Sequence, residues 1–119
     1  MKILLSPLDY YFYRRELYTM RFVLKYPGKI DTKKFKLALE RVSEILPATK
    51  ARLEIVSSKQ IILRPTQNQI PLSVQAITEG TTHELTEALT NTENSPLVKV
   101  TITQSGEHCY VGFSFSHMV

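Results

Sequence analysis

The chain has one cysteine, four glycines and no apolar run long enough to cross a bilayer. A lone Cys109 cannot form an internal disulfide, which excludes a small secreted fold stapled by bridges and fits a reducing compartment, the cytoplasm. Four glycines supply no glycine-rich loop to cradle a phosphate. The opening Met1-Lys2-Ile3-Leu4-Leu5 is stopped by Ser6-Pro7-Leu8-Asp9, well short of a signal-peptide core or a membrane span. Metal-ligand spacing is missing too. His108 and Cys109 are strand neighbours that point to opposite faces, and His83 falls at an expected helix start, so no metal site and no bound cofactor are expected.

What is present fits one core. A chain of 119 residues with 43% hydrophobic content is about the size of one domain or one lobe. Fifteen Lys and Arg against eleven Asp and Glu give a net charge of +4, a mild excess that favours phosphate-bearing ligands without requiring nucleic acid. Tyr10, Tyr11, Tyr13 and Tyr18 around Arg14 and Arg15 have the composition of a stacking surface for single strands. They read more simply as a segment that lays its rings on the core and solvates its arginines, so no nucleic-acid partner is expected. Lys33, Lys34 and Lys36 read as a solvated helix face, and Cys109 as a small buried residue with no electropositive setting to form a thiolate.

Periodicity divides the chain into α+β elements. Phe22, Leu24 and Tyr26 share one face of a strand over 21–27, and Gly28 turns the chain. Asp31 is placed to cap a helix, with Ile30 and Phe35 spaced as a hydrophobic staple. Phe35, Ala38, Leu39, Val42, Ile45 and Leu46 make its apolar stripe, and Pro47 ends it. Ala51, Leu53 and Ile55 then alternate in a strand that turns at Ser57-Ser58-Lys59 into 60–64, and Leu72, Val74 and Ala76 mark another. Thr81 and Glu84 have capping-box spacing, so a second helix is expected over 82–90. Val98, Val100 and Ile102 form a strand that turns at Ser105-Gly106-Glu107 into a last one carrying Cys109, Val111, Phe113 and Phe115 on one face. These elements compose a single layer of mostly antiparallel strands with two helices.

His117 is in phase with Phe113 and Phe115, so an unbroken strand would point its imidazole to the apolar side. That position suits either a core histidine with one satisfied nitrogen or a partly desolvated general base, neutral at pH 7 and able to take a proton. Periodicity does not choose between them.

The order of motifs bears on the choice. Leu5-Ser6-Pro7-Leu8-Asp9, a strand, the Asp31 to Leu46 helix, a hairpin and finally Phe113-Ser114-Phe115-Ser116-His117-Met118-Val119 resemble the opening portion of the HxxxDG acyltransferase superfamily. That superfamily includes BAHD alcohol acyltransferases, wax ester synthases, peptide-synthetase condensation domains and chloramphenicol acetyltransferase. The resemblance covers essentially all of this chain and roughly a quarter to a third of a typical member.

The resemblance implies that residues 1–119 are the N-terminal part of one chloramphenicol-acetyltransferase-like lobe, ending inside the motif. It implies transfer of an acyl group from a thioester, acyl-CoA or carrier-bound, to an alcohol or amine. His117 would be the catalytic residue that deprotonates the acceptor. Ser116 stands where many members carry another histidine, and the motif's structural aspartate and its glycine would lie beyond Val119. No particular residues are implied for holding coenzyme A. The expected partners are the acyl thioester, the acceptor, and the remainder of the fold or a second chain that supplies it. The rival expectation is a non-catalytic lobe that serves as a binding or assembly module.

Overall fold

A computed structural model describes residues 2–6, 19–77 and 84–119. The order of elements is β1 (Ile3–Leu4), β2 (Thr19–Pro27), α1 (Thr32–Ile45), a 3-10 turn (Pro47–Lys50), β3 (Ala51–Ser57), β4 (Gln60–Pro65), β5 (Leu72–Ala76), β6 (Val98–Ser105) and β7 (His108–Ser116). The expected Pro7-Leu8-Asp9 motif, the Tyr10 to Tyr18 segment, and Thr81, Thr82 and His83 lie outside the described residues.

The strands make two sheets rather than the single layer expected. One has the order β1-β4-β3, and the other β2-β7-β6-β5. All pairs are antiparallel except β5 with β6. Residues 77–97 join that parallel pair, a connection long enough for the crossover that parallel strands require. β1 was not legible as a strand, because two residues, Ile3 and Leu4, are too few to show an alternation.

α1 forms as its sequence directs. The Asp31 carboxylate accepts from the backbone amides of Lys33 and Lys34, both at 3.1 Å, and so satisfies two amides that the helix itself leaves open. Ile30, Phe35 and Leu39 pack on a cluster of Ile70, Val100 and Val111, which seats α1 on the four-stranded sheet. The β3–β4 hairpin forms with its expected turn, its register setting Ala51 opposite Pro65 and Leu53 opposite Leu63, with a bulge between Ile55 and Ser57. Gly106 has φ 58° at the first position of the two-residue β6–β7 turn, where a type II′ hairpin needs a positive value.

No helix is present over 84–90, which corrects the second helix expected there. The sheet takes the backbone groups a helix would use. Gln75 Nε2 donates to the Glu84 carbonyl at 2.8 Å, and Lys99 Nζ to the Ala88 carbonyl at 3.1 Å. Ser73 Oγ donates to the Glu87 carboxylate, which also lies 3.7 Å from Lys99 Nζ. Tertiary hydrogen bonds thus override a local capping signal. The segment presses so close that a Cβ on Gly112 would stand 1.7 Å from the Leu85 carbonyl oxygen. Only a glycine permits that approach in mid-strand.

Beyond it, residues 91–97 run along the other sheet. The Asn94 amide donates to the Leu53 carbonyl at 3.2 Å, and the Ile55 amide to Glu93 Oε2 at 2.7 Å. The positive φ values of Asn91 and Asn94, 53° and 62°, shape this loop, and asparagine tolerates them better than most side chains. The loop ends at Leu97, which is fully buried with Ala51, Leu53, Leu63 and Met118. That cluster is the core of the three-stranded sheet.

Candidate active site

The C-terminal residues pass from one sheet to the other. β7 pairs with β2 as far as Ser116 opposite Thr19, and the Ser116 amide donates to the Leu97 carbonyl at 2.8 Å. There the strand ends. The Val119 amide donates to the Ser116 carbonyl at 3.1 Å, which closes a turn over 116–119. Ser116 Oγ accepts from the Met118 amide at 3.1 Å and holds the turn from inside. Ser116 is fully buried, and Met118 enters the core of the three-stranded sheet.

His117 is therefore held between two buried anchors and is itself exposed. The expectation of an imidazole on the apolar side assumed an unbroken strand, and the turn breaks the alternation one residue too early. A core histidine does not describe His117, nor does a desolvated one. Its backbone is fixed from both sides while the residue itself remains exposed.

Two features flank it. Phe115 and Val119, the residues two before and two after His117, line an apolar cavity of about 410 Å³ together with Val42, Leu46, Val98 and Phe113. On the other side of the β2–β7 pair, Thr19 Oγ1 and Ser114 Oγ are buried without a hydrogen-bond partner among the described residues. Buried hydroxyls are normally satisfied, and Thr101 Oγ1 on the same face is a further exception among the described residues. Neither the cavity nor the hydroxyls were read from the sequence. The glycine within the apolar run Val111-Gly112-Phe113 was the one signal available for the close approach beneath them.

The remaining candidates are not brought to this place. Cys109 is fully buried in β7, as expected of a small packed residue, and His108 is exposed at the opposite end of that strand. Lys33 and Lys36 are exposed and border a separate cavity of about 390 Å³ with Thr32, Glu40 and Gln69. The Asp31 carboxylate already occupies the amides at that helix start, so they do not offer an anion site. Burial lowers the Arg52 guanidinium below its ordinary value, and its Nη1 donates to the Ala51 carbonyl at 3.1 Å. Arg64, hydrogen-bonded to Glu54, is raised, and the same bond holds the Glu54 carboxyl below the usual carboxylate range. Both pairings belong to the β3–β4 hairpin. Among the described residues no three His, Cys, Asp or Glu side chains gather where a metal would bind, and no helix is long and apolar enough to cross a membrane.

No protein-family model matches the chain, and no curated protein matches it by sequence. Solved structures do match by fold. The starter condensation domain of rhizomide synthetase RzmA superimposes with a TM-score of 0.77 at 13% identity, covering 99% of this chain and 34% of that one. The tallysomycin biosynthesis protein TlmII gives 0.74 at 16% identity, covering 100% and 34%. TRI101 of F. sporotrichioides, crystallised with coenzyme A and T-2, gives 0.69 at 10% identity, covering 98% and 36%. The chain thus spans about a third of the length of these structures. At such identities the likeness establishes the fold: α+β, matching part of a chloramphenicol-acetyltransferase-like lobe.

Proposed function

We propose that the protein takes part in acyl transfer from a thioester, acyl-CoA or carrier-bound, to an alcohol or amine, with His117 as the general base. The observation that carries this reading is the coincidence of two independent features. The fold is shared with a condensation domain and with a protein crystallised with coenzyme A, and an exposed histidine sits in Ser116-His117-Met118-Val119 where the resembled motif has its catalytic one. Residues 1–119 act in this reading as the N-terminal part of one lobe. Its setting is the cytoplasm, where the lone Cys109 stays reduced.

In the proposed step His117 takes the proton of the acceptor O–H or N–H as the acceptor attacks the thioester carbonyl carbon. The tetrahedral intermediate collapses by breaking the C–S bond. The departing thiolate accepts the proton from the imidazolium, which restores neutral His117 and leaves an ester or amide. The turn over 116–119 fixes the histidine backbone so that little ordering remains to be done when substrates arrive.

The rival reading is a non-catalytic lobe that binds or assembles. One assay separates the two. Acyl-CoA and carrier-bound thioesters are incubated with a panel of alcohols and amines, using the chain together with any protein that co-purifies, and free thiol is followed. Acceptor-dependent thiol release supports the enzyme. Its absence with every donor, while a partner still co-purifies, supports the assembly module.

A further inference from the structure

Ser116 is the last residue of β7, and the chain has two courses open to it there. Continued as a strand, it would set His117 on the face of Phe113 and Phe115, because alternate residues share a face. That face is apolar: Phe115 lies opposite Val98 and Met20, and Phe113 opposite Val100 and Phe22. The chain turns instead, and His117 is exposed. One position therefore separates a histidine directed into apolar surroundings from one at the surface.

The groups that select the turn belong to Ser116. Its amide still serves the sheet and donates to the Leu97 carbonyl at 2.8 Å. Its two oxygens serve the residues ahead: the carbonyl accepts from the Val119 amide and Oγ from the Met118 amide, each at 3.1 Å. Any residue could offer the carbonyl. The second bond needs a short side chain with an acceptor oxygen. It also answers a buried donor. Met118 is 5% exposed and Ser116 0%, so water offers the Met118 amide no ready substitute for Oγ. An amide left unpaired in that setting makes the turn the costlier course.

We propose that Ser116 is a positioning residue: by accepting from the Met118 amide, its hydroxyl commits the chain to the turn and decides the face on which His117 is presented. Ser116 acts through the backbone and touches no reacting atom. The effect on rate rests on the acyl-transfer reading, whereas the choice of face does not and is read without turnover.

The test compares the parent chain with Ser116→Ala, Ser116→Cys and Ser116→Thr, each checked for a cooperative thermal melt. Alanine removes the acceptor, cysteine replaces it with a weak one of nearly the same shape, and threonine keeps it. Carbethoxylation by diethyl pyrocarbonate, followed residue by residue by mass spectrometry, reports the exposure of His117. His108, exposed at the opposite end of β7, is the internal standard. Relative to His108, His117 should react about tenfold more slowly in the alanine and cysteine variants and at the parent rate in Ser116→Thr. In the thioester assay the same two variants should lose roughly ten- to hundredfold in kcat with KM little changed, and threonine should restore the rate. Parent-like reactivity of His117 in folded Ser116→Ala or Ser116→Cys overturns the proposal. If neither variant folds, the parent chain decides: slowed exchange of the Met118 amide in heavy water supports the bond to Oγ, and exchange at the rate of an unstructured chain overturns it. Full activity in His117→Ala would sink the acyl-transfer reading and leave the carbethoxylation result to decide this one.

Discussion

The two faces of the four-stranded sheet are finished in opposite ways. On one, Thr101, Thr103 and Ser114 are buried although they are polar, because the chain's own segment 84–90 lies over that face and bonds to Ser73 and Gln75 of β5 and to Lys99 of β6. On the other, Met20, Phe22 and Leu24 are exposed although they are apolar, as are Val42 and Ile45 on α1. Polarity therefore does not report cover in this protein. The covered face is held by hydrogen bonds and one glycine, and it has no need of a hydrophobic pattern. The other face has the hydrophobic pattern, and among the described residues α1 covers only part of it.

The comparison breaks most severely at Gly112. Gly112→Ala puts a methyl group where the Leu85 carbonyl lies, so the covering segment must lift from the sheet. A loss of about 3 kcal/mol or more is expected by urea denaturation. A cost below about 0.5 kcal/mol would show that residues 84–90 are not held against that face. Leu53→Ala removes a fully buried side chain from the cluster that receives both Leu97 and Met118. It should cost about 2–5 kcal/mol, and it should alter the NMR environment of His117, whose turn is anchored there. An unchanged histidine spectrum would uncouple the site from that core.

Smaller changes sharpen the contrast. Ser73→Ala removes a donor to Glu87 on the covered face and should cost about 1 kcal/mol. Val42→Ser on α1 should stay within about 0.5 kcal/mol in the isolated chain. Equal costs for the two would contradict the difference in cover. The smallest effect concerns pH. The Glu54 carboxyl is depressed by its hydrogen bond to Arg64, so its contribution is present above the ordinary carboxylate range and fades as pH falls through the folded value. Both side chains are exposed, so Glu54→Gln should differ from the parent slightly at pH 7 and not at all in strong acid. A difference that grows on acidification has the wrong sign.

Much of the fold was legible because local signals and packing agree. Asp31 caps, Pro47 terminates, the β3–β4 hairpin turns at Ser58 and Lys59, and β6 and β7 meet at Gly106. The sequence misled where a tertiary contact outweighs a local signal. Glu84 and its neighbours look helical, but the sheet engages the carbonyls of Glu84 and Ala88, and the close pass over Gly112 holds the segment there. His117 follows the strand alternation in sequence, yet Ser116 uses its own hydroxyl and carbonyl to turn the chain. The split into two sheets was hidden because a strand's alternation reveals its faces and not its neighbours. The expectation that His117 belongs to a site came from the order of motifs along the chain, a signal that no single segment carries.

The most direct measurement compares acceptor-dependent thiol release from an acyl thioester by the parent protein, His117→Ala and His108→Ala, each purified with whatever chain accompanies it. With His117 as general base, His117→Ala should lose about 10²- to 10⁴-fold in rate, while His108→Ala, at the far end of β7, keeps the parent rate. Full activity in His117→Ala would contradict the assignment.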